Sequence, residues 1–139
     1  MAIVDGDTLR VIYQQKKESI RVIGIDTPES KPNKKAVKDG YWTKMDIETI
    51  TSYGRQAESF VKSLVKPGDL LGIEFDVQPR DKYGRLLAYL YMPSGKMLNE
   101  EIVKAGYAHL MTVPPNVKYR DRFSVAYKDA RERHRGLWQ

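Results

Sequence analysis

IVDGDTLRVIYQQKKESIRVIGID, residues Ile3 to Asp26, decides the fold. Short apolar runs are divided by a tight Asp5-Gly6 turn and by a polar turn around Gln14 to Glu18, so the stretch reads as three consecutive strands. Beyond it the pattern changes. Ser30 to Asp46 is polar and punctuated by Pro32 and Gly40, which predicts a long exposed loop. From Ile47 the apolar residues Ile47, Ile50, Ala57, Phe60, Val61, Leu64 and Val65 recur at helical spacing, and Pro67-Gly68 supply the stop.

LLGIEFDVQP returns to alternation, with Leu71, Ile73, Phe75 and Val77 on one face and Glu74 and Asp76 on the other, as in a half-buried strand. RLLAYLYM is the next strand, joined to it through DKYG. Asn99 is placed to cap a short helix with Glu100 and Glu101 in its first turn and Gly106 past its end. AHLM is a brief apolar segment before the PPN break. A last helix is expected from about Tyr119 to Arg135, with Tyr119, Phe123, Tyr127 and Ala130 on its buried stripe and Gly136 as its stop. The order is three strands, a helix, two strands and two helices. This suits an α+β fold: a five-stranded Greek-key barrel of the OB type carrying three α-helices.

At 139 residues the chain is expected to form one domain, residues 1–139. Its apolar fraction and nine tyrosines argue for a folded globule. No run approaches the roughly 18 apolar residues of a membrane span, and MAIVDGD lacks the basic start and apolar stretch of a signal peptide. Because the first element begins almost at Met1, a leader or anchor preceding it is expected. There is no cysteine, which excludes disulfides, thiolate nucleophiles and cysteine-based zinc sites. Twenty-four basic against eighteen acidic side chains give a net charge of +6, which favours polyanionic partners, although a charge of this size also serves solubility alone.

IDTPES, Ile25 to Ser30, has two incompatible readings. Asp26 or Thr27 followed by Pro28 and Glu29 resembles a capped helix start. The same residues can instead set hard oxygen ligands and a carboxylate base at the end of a strand. KPNKKAVKDG follows, with a second proline and no apolar spacing, so a helix begun at Pro28 would end almost at once.

If the hairpin turn centres between Lys16 and Lys17, Tyr13 faces Ile20 and Asp7 faces Asp26. Directly opposed residues lie roughly 5 Å apart, and like charges there destabilise the pair unless a cation lies between them. Their oxygens suit Ca²⁺ or, less well, Mg²⁺; the competing view makes Asp7 a turn acid and Asp26 a helix cap. Such a carboxylate pair, a third carboxylate and nearby arginines suit phosphodiester hydrolysis. Arg21 and Arg85 are the candidate guanidinium forks. Strand parity points Arg21 and Asp26 to opposite faces unless a bulge at Gly24 restores them. His109 and His134 have no triad or metal-ligand neighbour in the sequence, Trp138 reads as a core plug, and no Walker or dinucleotide fingerprint is present.

DGDT (Asp5 to Thr8), Arg21, IDTPE (Ile25 to Glu29), DKYGR (Asp81 to Arg85), YGRQA, LLAYLY and GKMLNEEIVKAGYA together resemble the staphylococcal nuclease, or thermonuclease, family, in order and over nearly the whole chain. Each motif alone is weak; the ordered set is specific. The resemblance implies an OB-type barrel with three helices and a Ca²⁺-dependent nuclease. Such an enzyme cuts DNA and RNA with little sequence selectivity, between phosphorus and the 5′ oxygen, leaving 3′-phosphate ends. It implies that Asp7 and Asp26 hold Ca²⁺ by their side chains and Thr27 by its carbonyl, and that Glu29 is the general base or water-orienting carboxylate. Arg21 and Arg85 would bind phosphate and stabilise the transition state, with Lys82 and Tyr83 on a neighbouring phosphate. Where the family's best-known member has two pocket tyrosines, MTVPPN stands here, with Thr112 and Pro114 at about those places. Tyr119 is a candidate replacement, and Trp42 in the longer loop either pins that loop down or adds a stacking surface. The alternative is a non-catalytic nucleic-acid-binding module. A monomer is expected, secreted or at the cell surface, where Ca²⁺ is plentiful.

Overall fold

Alternation and turn chemistry produce a meander at the start of the chain. In the structure, a computed structural model that describes residues 2–28 and 47–139, β1 (Ala2–Asp5), β2 (Thr8–Tyr13) and β3 (Lys16–Val22) run antiparallel to one another. A short β4 (Gly24–Asp26) follows. The loop expected over residues 30–46, together with Glu29 and Trp42, lies outside the described residues.

The β2–β3 register differs from expectation. Tyr13 pairs with Lys16 and Thr8 with Arg21, so the turn is Gln14-Gln15, tighter and earlier than one centred on Lys16-Lys17. Both glutamines have positive φ, 51° and 66°, as a two-residue hairpin turn requires. Asp7 therefore does not face Asp26 across this hairpin. Its carbonyl accepts a hydrogen bond from Val22 N at 3.0 Å instead.

Helix α1 (Ile47–Leu64) buries Thr51, Gly54, Ala57 and Val61, a stripe at three- and four-residue spacing, with Val65 just beyond. The strand expected over LLGIEFDVQP is only β5 (Gly72–Glu74), paired with β6 (Leu86–Tyr91). Beyond Glu74 the chain leaves the ladder. Asp76 turns to accept from the Tyr89 hydroxyl at 2.6 Å and from Lys118 N at 3.0 Å.

α2 (Leu98–Lys104) starts two residues earlier than a helix capped by Asn99 would, with Met97 at its cap position and no side-chain cap. Asn99 is fully buried inside it: its amide accepts from Leu90 N at 3.0 Å and donates to Ile23 O at 2.9 Å. It pins helix, sheet and the β3–β4 junction together, because a buried amide left unpaired is costly. AHLM supplies β7 (His109–Met111), which pairs antiparallel with β4. α3 (Arg120–Glu132) buries Phe123, Ala126 and Ala130, and a 3₁₀ turn (Gly136–Trp138) closes the chain.

The strands form a mixed five-stranded sheet in the order β1-β2-β3-β6-β5, parallel only between β3 and β6, beside the two-stranded β4–β7 ladder. The expected α+β architecture with three helices is observed; among the described residues the sheet does not close into a continuous ladder. The core comprises Leu9, Ile20, Val22, Ile25, Leu90, Leu98 and their neighbours, and each large aliphatic side chain removed from water contributes roughly 1.5–3 kcal/mol. A satellite cluster of Ile23, Tyr89, Met97 and Phe123 fixes α3 beneath the β3–β4 junction.

Candidate functional site

β3 ends at Val22, Ile23 makes a turn, and Gly24 restarts the chain with φ +88°. A Cβ on Gly24 would stand 2.5 Å from the Phe123 ring, so both the backbone angle and the packing demand glycine here. This break resolves the parity problem differently from a simple bulge: Asp26 moves onto a strand of the other ladder. Arg21 then reaches along the turn. Its Nη1 donates to Val22 O at 3.0 Å and Ile25 O at 2.8 Å, and its Nη2 to Asp26 Oδ1 at 3.3 Å.

Asp7, buried just after the Asp5-Gly6 turn, completes the group. Its Oδ2 accepts from Thr27 N at 3.0 Å and lies 3.4 Å from Arg21 Nη2, while its Oδ1 accepts from the Thr8 hydroxyl at 3.1 Å. Asp7, Arg21, Asp26 and Thr27 are thus brought together. Among the described residues, the Arg21 guanidinium is a cation that meets both carboxylates.

The donor chemistry fits a hard divalent ion, since two convergent carboxylates and a neighbouring main-chain carbonyl are the oxygen ligands such ions take. Among the described residues no three His, Asp or Glu side chains gather closely enough to form a metal cluster. Glu29, the third carboxylate expected there, is outside them.

The second half of the site is the turn from Asp81 to Arg85. Asp81 Oδ1 accepts from Tyr83 N and Arg85 N, both at 2.9 Å, and its Oδ2 accepts from Arg85 Nε at 2.8 Å. Burial would raise the Asp81 carboxyl, but these hydrogen bonds, led by the Arg85 guanidinium, hold it below its ordinary value. Gly84, φ +83°, lets the turn close. Arg80 secures it from outside: Nη1 donates to Gly84 O at 2.8 Å, and the guanidinium forks onto Glu18 of β3 at 2.9 and 3.0 Å. Tyr83 is largely exposed, with Lys82 and Arg85 lying 5.1 and 5.6 Å from its ring centre.

Arg21, Lys82, Tyr83 and Arg85 line a single cleft of about 520 Å³. Its far wall is Met111, Val113, Pro114 and Pro115, tied back by Asn116, whose amide exchanges two hydrogen bonds with the Gln78 backbone at 2.8 and 2.9 Å. Of the two residues standing at about the places of the family's pocket tyrosines, Pro114 lines this cleft and Thr112 does not. Tyr119 does not line the cleft either. It packs edge-on to Tyr89 with centroids 4.6 Å apart, and its hydroxyl donates to Glu74 at 2.8 Å. His109 sits opposite Asp26 in the β4–β7 register, its ring edge against Trp138, and His134 is exposed just past α3. Trp138 plugs the end of α3 between Tyr127 and His109.

Two residues escaped the sequence reading. Asp81 is legible in the sequence only as a turn residue, since an aspartate three residues before a glycine is a turn signal. Met111, whose thioether accepts from Arg21 Nη2 at 3.7 Å, had no signal at all.

The geometry agrees with what the chain is similar to. The Staphylococcal nuclease homologue family matches residues 19–139. Endonuclease YncB of Bacillus subtilis (strain 168) is 39% identical over 138 residues, covering 97% of this chain but only 58% of that protein. The Thermonuclease of Staphylococcus hyicus is 34% identical over 137 residues, with 98% of this chain and 72% of that protein aligned. The Thermonuclease of Staphylococcus intermedius is 33% identical over 138 residues, covering 99% and 73% respectively. With a family match across most of its length and relatives that align with nearly the whole of it, the chain belongs to the staphylococcal nuclease homologue family.

Proposed function

We propose that this chain is a nuclease that hydrolyses phosphodiester bonds of DNA and RNA with little sequence selectivity, using Ca²⁺ and leaving 3′-phosphate ends. The observation that carries this reading is the convergence of Asp7 and Asp26 on Arg21 at the edge of a cleft that also presents Lys82, Tyr83 and Arg85. Relatives named thermonuclease and endonuclease support it.

Arg21 and Arg85 bind the non-bridging oxygens of the scissile phosphate, and their forks neutralise the charge that grows on five-coordinate phosphorus. Glu29 takes the proton of the attacking water or orients it. The 5′ oxygen departs with help from Arg85, and the phosphate stays on the 3′ side. Lys82 and Tyr83 hold a neighbouring phosphate, which fixes the strand in register with the reacting one. Ca²⁺, held by the carboxylates of Asp7 and Asp26 and the carbonyl of Thr27, supplies Lewis-acid polarisation of a phosphoryl oxygen when bound. A broadly acting nuclease with this cofactor suits secretion or the cell surface.

The test is incubation of the protein and of Glu29→Gln with single-stranded DNA, in Ca²⁺ and in chelator. Cleavage is expected only for the unaltered protein in Ca²⁺. Retained binding without cleavage in Ca²⁺ would make the chain a non-catalytic module. Cleavage that survives both chelator and Glu29→Gln would refute the assigned roles.

A further inference from the structure

Met111 ends β7 on the wall of the cleft and is 47% exposed. Its Sδ faces the same Arg21 nitrogen that meets Asp7 Oδ2 at 3.4 Å and Asp26 Oδ1 at 3.3 Å. Met92 and Met97, by contrast, are 7% and 1% exposed. A thioether is a weak acceptor, so in its reduced form Met111 competes little for the guanidinium. Its oxidised form would compete strongly.

We infer that Met111 is an oxidative modification site acting on Arg21. Hydrogen peroxide or an organic hydroperoxide is the oxidant. The sulfur attacks the terminal peroxide oxygen, an S–O bond forms and the O–O bond breaks. Sulfur is oxidised by two electrons and peroxide is reduced by two. The proton on the transferred oxygen passes to the departing hydroxide or alkoxide, which leaves as water or alcohol. The product is a polar sulfoxide whose oxygen accepts from Arg21 Nη2, taking the donor that the phosphate needs, and methionine sulfoxide reductases can reverse it. The effect on cleavage rests on the nuclease reading above; the modification and its contact with Arg21 do not.

The experiment exposes the protein and Met111→Leu to hydrogen peroxide. It follows each methionine by peptide mass spectrometry, the Arg21 side-chain N–H resonances by NMR, and cleavage of single-stranded DNA in Ca²⁺. Met111 is expected to gain oxygen about tenfold faster than Met92 or Met97. The Arg21 resonances move in the unaltered protein and stay in place in Met111→Leu. Cleavage falls about tenfold relative to the protein's own untreated sample. Met111→Leu keeps its own untreated rate, and a sulfoxide reductase restores the oxidised protein. Slow oxidation of Met111, unmoved Arg21 resonances at full oxidation, or an equal fractional loss in Met111→Leu overturns the inference. A protein that cuts nothing before treatment sinks the nuclease reading instead, and the mass and NMR measurements still decide the modification.

Discussion

Arg21 and Arg85 face one cleft, yet they are held by different means. The Arg21 side chain is 15% exposed and is fixed by two backbone carbonyls and two carboxylates drawn from the ends of β1, β3 and β4. Arg85 is 36% exposed and depends on Asp81, four residues away in the same turn. The first arrangement joins local partners at Val22, Ile25 and Asp26 to the remote Asp7 with little water to screen it, so removing its centre disturbs several groups together. The second is local and screened, and can be lost without the fold noticing. On the proposed reading, one cleft combines an arginine tied into the fold with another held only by its own turn.

The largest expected effect comes from removing Arg21. Arg21→Ala removes the guanidinium that meets both Asp7 and Asp26, at a cost of about 3 kcal/mol in stability. Cleavage should fall by about 10²–10³-fold. Arg85→Ala should lose cleavage to a similar extent while changing stability by less than about 1 kcal/mol. Denaturant melts alongside single-stranded DNA cleavage check both. Equal loss of stability in the two variants would erase the distinction.

The glycines of the two regions sharpen it. Gly24→Ala combines positive φ with a Cβ placed 2.5 Å from the Phe123 ring, which should cost about 2–3 kcal/mol. Gly84→Ala has a similar positive φ but nothing within 4 Å, so about 1 kcal/mol is expected. Midpoints of urea unfolding at unchanged slope would read the difference. A Gly84 cost as large as that at Gly24 would mean the turn is part of the cooperative core.

Asp81→Asn is the smallest perturbation. It should spare the fold and slow cleavage about tenfold by loosening Arg85. The Asp81 carboxyl lies below its ordinary value when folded, so its contribution is complete above the unfolded-state pKa of about 4. That contribution disappears as pH falls through the lower folded value. The melting temperature of the unaltered protein should decline through that acid window more than that of Asp81→Asn. Parallel curves would show that the carboxylate does not hold the turn.

Much of this was readable from residues alone where neighbours in sequence decide the outcome. The short apolar runs at Thr8–Tyr13 and Leu86–Tyr91, the helical spacing after Ile47 and the DKYGR turn depend on contacts within a few residues. The hairpin register did not, because Gln14-Gln15 occupies a positive-φ turn without the Asn-Gly or Asp-Gly signal that usually marks one. Asn99 has the sequence position of a helix cap, but its partners, Leu90 N and Ile23 O, are not ones local sequence spacing reveals.

The sequence by itself determined which chemical groups the site owns: two aspartates, two arginines, and a lysine and tyrosine beside a turn. Tertiary structure alone decided how they meet. Asp26 and Asp7 meet the same Arg21 nitrogen because β3 breaks at Gly24 over Phe123 and β4 pairs with β7. Such convergence depends on strand register and on packing between remote segments, which side-chain periodicity does not encode.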